Sequence, residues 1–310
     1  MTMSRPLLGG VELGGTKCIC LIGTHPDDIR GQASIPTGSE PTATLRRIVD
    51  QLNSWQVIHG PIAALGVASF GPVDLTARSS TYGYITSTSK PGWQFVDVAG
   101  QLSQALGVPT NFDTDVNGAA IAEGRWGAAR GLDDYAYLTV GTGVGVGLVV
   151  RGNVVHGFGH PELGHARLAR LTGDDWRGAC ALHRDCVEGL ASGTAIAARA
   201  GMPAERLPAN SPIWQAVAHT LAQLLSTIVL ATAPRRIIVG GGVTQSRPEL
   251  LATVRTQLLQ SLNGYLALEE IAGPIEDYIV APGLGAQVGP VGALALASDA
   301  YRSALLRAAG

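Results

Sequence analysis

A group of cysteine and histidine side chains with the spacing of metal ligands lies between residues 160 and 188 of this 310-residue chain. Cys180, His183 and Cys186 form a Cys-x-x-His-x-x-Cys pattern, and His165 precedes it. Zn²⁺ is commonly bound by two thiolates and two imidazoles, and four protein ligands leave no open position for catalysis. We therefore predict a structural zinc site. His160 is the alternative to His165 as fourth ligand, and two unbound cysteines are the alternative to a metal.

One aspartate stands where a predicted strand meets a predicted helix. The run Phe112–Ala120 has the sequence FDTDVNGAA, which places Asp115 at or near the helix N-terminus. An aspartate there is either an N-cap, which accepts a hydrogen bond from the helix backbone, or a general base that takes a proton from an attacking hydroxyl. Both roles stay open from the sequence.

Three glycine-rich turns lie at the ends of predicted strands. Glycines let backbone N–H groups approach a phosphate or a flat ring closely. An ordinary tight turn explains any one of them, but three such turns around one aspartate favour a nucleotide site. The candidate ligands are Gly14, Gly15, Thr16 and Lys17 in the first turn, Thr142 and Gly143 in the second, and Gly240, Gly241 and Gly242 in the third.

Polar residues near these turns are candidates for binding a substrate. The loop Ser69–Asp74 follows a predicted buried strand, where ligands gather in α/β sheets, and it offers Ser69 and Gly71. Glu162 and Glu188 lie on either side of the Cys-x-x-His-x-x-Cys pattern. Exposed glutamates are common on any surface, but beside a sugar they would accept hydrogen bonds from its hydroxyl groups.

Composition and charge exclude several classes of protein. The net charge is −2 with no basic run, so nucleic acid is not an expected partner. The apolar segment Ile213–Ala233 is interrupted by polar residues, which favours a buried helix over a membrane span. The N-terminus lacks the apolar core of a secretory signal peptide. Cys18 and Cys20 share a strand face in an apolar run and are expected in the core, which does not resemble a secreted disulfide framework. Together, these features predict a cytoplasmic protein without a membrane partner.

The predicted elements repeat along the chain. Two β-hairpins, at Leu7–Ile22 and Tyr135–Val150, are each followed by helix, strand and helix, which suggests a duplicated α/β fold with a cleft between two lobes. Tyr82–Trp93 is predicted to be a surface loop and Val96–Leu106 a helix. The other predicted elements are the helices Pro41–Gln56, Leu250–Leu259 and Gly289–Leu306 and the strands Ile62–Ala68, Val108–Phe112, Arg236–Gly242 and Ile279–Val280.

Six segments carry distinctive motifs. They are Gly9–Lys17 (GGVELGGTK), Ala68–Leu75 (ASFGPVDL), Phe112–Ala120 (FDTDVNGAA), Thr139–Gly147 (TVGTGVGVG), His160–His165 (HPELGH) and Cys180–Gly193 (CALHRDCVEGLASG). Together they resemble the sugar-kinase branch of the ROK family (repressors, open reading frames and kinases), and most closely its fructokinases. The Cys-x-x-His-x-x-Cys form is similar to the fructokinase branch, whereas other members more often carry three cysteines.

The resemblance implies an α/β fold of the actin-like (ribonuclease H-like) ATPase type, with two lobes and a central ligand cleft. One lobe would comprise residues 1–116 plus 288–310, and the other residues 117–287. ATP, Mg²⁺ and structural Zn²⁺ are the implied cofactors, a hexose is the implied small-molecule partner, and a homodimer is the implied assembly.

The resemblance also implies a role for each candidate residue. Asp115 would be the general base, the first two glycine turns would line the phosphates, and the third would lie near adenosine. His165 would bind zinc through one ring nitrogen and sugar through the other. Glu12 stands where many members have an aspartate that orients Mg²⁺. The implied sugar ligands are Asn117, Glu162, His165 and Glu188.

The expected activity is therefore ATP-dependent phosphorylation of D-fructose on its 6-hydroxyl. A glucokinase, a mannokinase or a hexokinase of broad specificity is the alternative within the same class. A non-catalytic sugar sensor is the alternative from another class. A DNA-binding repressor of the family would need an N-terminal helix-turn-helix domain, for which the position of the first hairpin close to Met1 leaves no room.

Overall fold

A computed structural model describes residues 5–268 and 273–309 of the chain. The β-strands are β1 (Leu8–Leu13), β2 (Lys17–His25), β3 (Asp28–Pro36), β4 (Ala64–Ser69), β5 (Tyr84–Ile85), β6 (Val96–Asp97), β7 (Thr110–Thr114), β8 (Tyr135–Val140), β9 (Val144–Val150), β10 (Asn153–Val154), β11 (Ile237–Gly240) and β12 (Ile279–Val280). The α-helices are α1 (Pro41–His59), α2 (Ala99–Leu106), α3 (Asp115–Trp126), α4 (Val187–Ala191), α5 (Gly193–Ala200), α6 (Ile213–Thr232), α7 (Gly242–Ser246), α8 (Glu249–Leu262), α9 (Ile275–Tyr278) and α10 (Val288–Ala309). Short 3₁₀ turns cover Leu163–His165, Ala204–Arg206 and Gly285–Gln287.

The described residues form two compact units. Residues 5–126, 156–160 and 286–309 make up the first unit, and residues 127–155, 161–268 and 273–285 make up the second. The predicted division placed a boundary after residue 116, which lies inside α3. That helix packs as one piece against α10, so the observed boundary follows Trp126. Residues 1–4 and 310, which the predicted division assigned to the first lobe, lie outside the described residues.

Each unit is built on a sheet with the same strand order. The first sheet has the order β3-β2-β1-β4-β7 and the second the order β10-β9-β8-β11-β12. In both, the first three strands run antiparallel to one another, and the third, fourth and fifth strands pair in parallel. The duplicated α/β order predicted from the sequence is therefore confirmed.

The close packing of α10 on the first sheet depends on small residues. A Cβ atom added at Gly66 in β4 would overlap the carbonyl of Ala293 in α10. Leu294 and Leu296 of α10 are fully buried, and each such side chain contributes about 1.5–3 kcal/mol by leaving water. The end of β7 and the start of α3 are thereby held in a fixed place, because α10 also packs on α3.

Helix α6 lies in the core of the second unit, as predicted. Among the described residues it is the one helix long and apolar enough to cross a membrane, but 67% of its most apolar window is buried. Leu221, Leu224, Leu225 and Ile228 of this helix all belong to the core cluster of the second unit. Its apolar character is therefore explained by packing.

Two local predictions in the first unit need correction. Tyr82–Trp93 is not simply a surface loop, because it contains β5, which pairs with β6, and because Trp93 is fully buried. The Trp93 indole N–H donates to the carbonyl of Gly38 (3.0 Å), which allows its ring to enter the core. The predicted helix Val96–Leu106 starts later, at Ala99, because Val96 and Asp97 are used by β6.

Candidate active site and metal centre

The four predicted zinc ligands come together in the second unit. The ligand atoms of His165, Cys180, His183 and Cys186 all lie within 4.8 Å of one another. His165 Nδ1 is 3.7 Å from Cys180 Sγ and 3.6 Å from Cys186 Sγ. Tetrahedral Zn²⁺, with its usual bond lengths to sulfur and nitrogen, places such atoms about 3.6 Å apart. The donor set and its spacing therefore fit Zn²⁺.

Short local interactions shape the loop that carries these ligands. Cys180 and Arg184 exchange two backbone hydrogen bonds of 3.2 and 3.0 Å, which brings His183 and Cys186 back toward Cys180. Backbone N–H groups of His183 and Gly189 point at the two sulfur atoms, each at 3.4 Å. Burial raises the pKa of the Cys186 thiol to about 11, and the hydrogen bond from the Gly189 N–H acts against this shift.

His160 is not part of this group. It belongs to the first unit, where its Nε2 accepts a hydrogen bond from the Val73 N–H (3.0 Å). Of the two alternatives for the fourth ligand, the geometry selects His165.

Charged residues that sequence reasoning did not single out brace the metal loop. Asp174 is almost fully buried and pairs with Arg199 (2.7 Å) and Arg170 (3.4 Å). Burial opposes its ionisation, but hydrogen bonds from Arg199 and from the Trp176 N–H hold the pKa of Asp174 below its usual value. No spacing in the sequence connects these residues, so only the folded loop reveals them.

Asp115 is the first residue of α3, and its carboxylate is not the helix cap. The capping role belongs to Thr114, whose hydroxyl oxygen accepts the Asn117 N–H (3.1 Å). Burial raises the pKa of Asp115 to about 6, although the Val116 N–H (2.9 Å) stabilises its ionised form. A partly buried carboxylate with a pKa close to neutrality suits proton transfer.

Glu12 is a second carboxylate with a raised pKa in the first unit. Burial and the negative charge of Asp115 raise the pKa of Glu12 to about 7, against the opposing charge of Lys17. Its carboxylate packs so closely on Gly289 at the start of α10 that a Cβ atom there would overlap it. Carboxylate oxygens are the ligands that Mg²⁺ prefers, and a cation would relieve the repulsion between these two groups.

A hydrogen-bonded group of three side chains adjoins Asp115 and was missed at the level of sequence. Asp113, which is buried, contacts the amide nitrogen of Asn117 through Oδ1 (2.7 Å) and His156 Nε2 through Oδ2 (3.0 Å). Asp113 lies within the FDTD motif, which gave a hint. His156 lies far away in sequence, and nothing in its neighbourhood marked it.

The loop after β4 contributes less than predicted. Ser69 is fully buried, and its hydroxyl donates to the carbonyl of Phe70 (2.8 Å). Gly71 forms a cis peptide bond with Pro72. The Ser69 proton is thus already engaged within the loop.

The first glycine turn presents fewer donors than its sequence suggested. The Gly14 N–H donates to the carbonyl of Lys17 (3.1 Å) and so closes the β1–β2 hairpin. Gly15, Thr16 and Lys17 are exposed, and a Cβ atom at Gly15 would meet no protein atom within 4 Å. The N–H of Gly15, the hydroxyl of Thr16 and the ammonium of Lys17 remain the candidates for contacting a phosphate.

The second glycine turn is held by the residues that follow the metal loop. The Gly193 N–H donates to the carbonyl of Gly141 (2.7 Å), and Glu188 Oε2 accepts the Val144 N–H (3.1 Å). Thr142 is exposed at the tip. Glu188, predicted as a sugar ligand, therefore also supports the second glycine turn through one carboxylate oxygen.

We expect replacement of Gly143 by alanine to weaken ATP binding and lower stability. A Cβ atom at Gly143 would lie 2.5 Å from Glu188 Oε2, so this carboxylate would have to move away from the Val144 N–H. Loss of a hydrogen bond to a charged group costs about 1.5–3 kcal/mol. Thermal unfolding and the KM for ATP measure the effect. Gly141→Ala is the matched control for stability, because its Cβ would meet no protein atom within 4 Å. Equal melting temperatures for the two variants would contradict the predicted overlap.

The third glycine group follows β11, as predicted. Gly241 has φ +94°, a conformation that other residues rarely adopt, and a Cβ atom at Gly240 would come within 2.8 Å of the Tyr137 hydroxyl. Gly242 begins α7 and has open space beside it.

Glu162 is exposed in the second unit, and its carbonyl accepts the His165 N–H (2.9 Å).

Comparisons with known proteins agree with this geometry. The model of the ROK family matches residues 8–300. A fructokinase from Pediococcus pentosaceus is 39% identical over 96% of this chain and 100% of its own length. A glucokinase from Halalkalibacterium halodurans is only 26% identical, over 91% of this chain and 92% of its own length.

The fold is also found among solved structures. A ROK hexokinase from Thermus thermophilus superposes with a TM-score of 0.76 and 26% identity, and the match covers 96% of this chain and 99% of the other. The predicted actin-like α/β class is therefore confirmed.

Proposed function

The chain belongs to the ROK family and is a hexose kinase, and from this premise we propose that it transfers the γ-phosphoryl group of ATP to the 6-hydroxyl of D-fructose. The observation that carries the proposal is Asp115, a partly buried carboxylate at the start of α3 that is free of the capping role. Fructose is favoured because two fructokinases are each 39% identical to this chain, whereas the glucokinase is 26% identical.

Asp115 acts as the general base. It accepts the proton of the 6-hydroxyl as that oxygen bonds to the γ-phosphorus, and the bond from this phosphorus to the bridging oxygen breaks. The products are fructose 6-phosphate and ADP, and the proton passes from Asp115 to solvent. In phosphoryl transfer most of the rate comes from alignment and electrostatic stabilisation, so the base must be fixed, as the packing of α3 on α10 ensures.

The glycine turns and Glu12 are assigned to the nucleotide. Thr16 and Lys17 in the first unit, and the backbone of Thr142 and Gly143 in the second, are proposed to contact phosphates. Gly240–Gly242 are proposed to lie near adenosine. Glu12 would hold the divalent cation, which would offset negative charge on the phosphates.

Sugar hydroxyls are assigned to Asn117 in the first unit and to Glu162, His165 and Glu188 in the second. His165 directs Nδ1 at both sulfur atoms, so Nε2 is the nitrogen left for a hydroxyl. Glu188 uses Oε2 for the Val144 N–H, which leaves Oε1 as an acceptor. The zinc site thus serves to orient a sugar ligand and takes no part in the chemistry.

The rate should fall on the acid side of neutrality as Asp115 becomes protonated. A base is active only when ionised, and the pKa of Asp115 is raised to about 6, so kcat/KM should rise with pH and level off above that value. The measurement is kcat/KM for fructose from about pH 5 to pH 8, with saturating Mg-ATP. Because Mg²⁺ competes with protons at Glu12 but not at Asp115, repeating it at several Mg²⁺ concentrations separates the two groups. A profile that stays flat throughout would contradict a buried base.

Direct competition between sugars tests the choice of fructose. Equal concentrations of fructose, glucose and mannose are supplied with limiting Mg-ATP, and NMR identifies the phosphorylated products. We expect fructose 6-phosphate to dominate. Comparable amounts of several hexose phosphates would support the kinase activity but would show broad specificity in place of a preference for fructose.

A further inference from the structure

We propose that Asp113 and His156 are a positioning pair that fixes the amide of Asn117 in one orientation and presents His156 Nδ1 to the sugar. This inference rests on the proposed function, because it adds specificity residues to the same sugar site. Neither residue was among the candidates from the sequence, and neither belongs to the base or to the metal centre.

The carboxylate of Asp113 is the hub of the group. Its side chain is 7% exposed. Oδ1 accepts the Thr114 N–H and the amide nitrogen of Asn117, each at 2.7 Å, and Oδ2 faces His156 Nε2 at 3.0 Å. Asp113 therefore links the end of β7, the first turn of α3 and the segment 156–160.

The contact with Asp113 determines which way the Asn117 amide points. A carboxylate only accepts hydrogen bonds, so Asn117 must turn its NH₂ group toward it. The carbonyl oxygen of this amide then faces the other way, and among residues 5–268 and 273–309 it has no hydrogen-bond partner. Asn117 is 1% exposed as a residue, but this oxygen is not one of the fully enclosed polar atoms without a partner. It is therefore an acceptor in a fixed place that a donor such as a sugar hydroxyl can reach.

The Asp113 carboxylate also decides the tautomer of His156. It lies 3.0 Å from His156 Nε2 and only accepts hydrogen bonds, so Nε2 carries the hydrogen in this contact. The Asn117 NH₂ group, 3.2 Å from Nε2, is then a neighbouring donor and makes no hydrogen bond with it. Nδ1 is the remaining polar atom of a side chain that is 37% exposed, and within the described part of the chain it has no partner.

His156 is also a proton-sensitive group. The hydrogen bond to Asp113 and the charge of Asp113 raise the pKa of His156, against the opposing effect of burial. Tyr82 also faces Asp113, and burial together with the Asp113 charge raises the pKa of this phenol. Nδ1 accepts a hydrogen bond when the ring is neutral and donates one when it is charged. A sugar hydroxyl that donates to Nδ1 stabilises the neutral ring, and the pKa of His156 is then expected to change on binding.

The test compares Asp113→Asn and His156→Gln with the wild-type protein. An asparagine at 113 places its NH₂ group either against His156 Nε2 or against the Thr114 N–H and the Asn117 NH₂. In the first case His156 must change tautomer, and in the second the Asn117 amide must turn over. We expect the KM for fructose to rise about tenfold or more in each variant, with a smaller change in kcat and an unchanged KM for ATP. The double variant should be no worse than the single ones, because both break one network.

The chain offers a matched control pair at the end of β2. His25 and Asp27 also form a histidine–aspartate contact (3.2 Å), and Asp27 is 91% exposed. Asp27→Asn and His25→Gln make the same chemical changes away from the site and should leave the KM for fructose unchanged.

Histidine NMR on the wild-type protein separates the sugar contact from a purely structural role. His156→Gln identifies the His156 resonance, which is then titrated with and without fructose in the absence of nucleotide. We expect its pKa to change when fructose binds. An unchanged pKa, or a KM for fructose within about twofold of wild type in both variants, would overturn the inference even if Asp113→Asn alone failed to fold.

Failure of the positioning pair can be distinguished from failure of the proposed kinase function. If the wild-type protein phosphorylates fructose and both variants keep its KM for fructose, only the proposed positioning pair is ruled out. If the wild-type protein phosphorylates another hexose instead, that sugar replaces fructose in both measurements. No sugar-dependent turnover at all would overturn the proposed function and, with it, this inference.

Discussion

Asp115→Asn is expected to abolish sugar phosphorylation while leaving the fold and ATP binding intact. Asparagine has nearly the same shape but cannot accept a proton, and loss of a general base typically lowers the rate by about 10²- to 10⁴-fold. ADP release in the presence of fructose measures turnover, and calorimetry measures ATP binding. Asp50→Asn, which changes an exposed aspartate of α1, is the control and should behave as wild type.

The same variant should be more stable than the wild-type protein near neutral pH. The pKa of Asp115 is about 6 in the folded protein, against an ordinary 3.8. Folding therefore disfavours its charged form, and the penalty grows as the pH rises from the ordinary value through the folded one. Replacing the charge removes a penalty of up to about 3 kcal/mol. A higher melting temperature with no turnover would show that Asp115 is retained for function. Turnover within about tenfold of wild type would rule it out as the base.

Loss of the metal centre should abolish sugar binding. We expect about one zinc ion per chain, and Cys180→Ser should lose it, because a hydroxyl is a poor replacement for a thiolate. Without zinc, no metal ligation orients the His165 ring. The loop between Asp174 and Cys186 is then no longer closed around a metal ion. Metal analysis and calorimetric titration with fructose measure the two effects.

A second cysteine variant provides the control for that experiment. Cys20 is fully buried in β2 and lies outside the metal cluster, so Cys20→Ala should keep its zinc and its affinity for fructose. Full activity in metal-free protein would refute the role of the metal centre in holding the sugar site.

Local patterns in the sequence predicted the parts of the structure that short-range geometry determines. Alternating apolar residues around glycines gave both hairpins, with turns at Gly14–Thr16 and Gly141–Gly143. The Cys-x-x-His-x-x-Cys spacing predicted three members of the cluster that could hold a metal, because a short loop can fold around one ion. His165 completes that cluster, but the choice between it and His160 depended on which unit each one packs in.

Contacts between distant segments were not predictable in the same way. Asp113 and His156 meet only because segment 156–160 packs with the first unit, away from the residues on either side of it in sequence. Glu188 supports the turn before Val144 through one hydrogen bond that no spacing encodes. Trp93 was assigned to a surface loop because its neighbours are polar, yet a single hydrogen bond to Gly38 lets it enter the core.

The capping of α3 shows how a small detail decides between two roles. Asp115 and Thr114 are both favoured N-cap residues, and the sequence alone left the aspartate either as a cap or as a base. The structure gives the cap to Thr114. The carboxylate of Asp115 is consequently left for chemistry, which is the basis of the proposed mechanism.

The central claim is tested most directly by ADP release from the purified protein with Mg-ATP, measured with fructose and without any sugar. The account predicts rapid, saturable release with fructose and only slow release without it. Release that is independent of fructose and of other hexoses, from protein shown to contain zinc, would contradict the account and favour a protein that senses sugar without phosphorylating it.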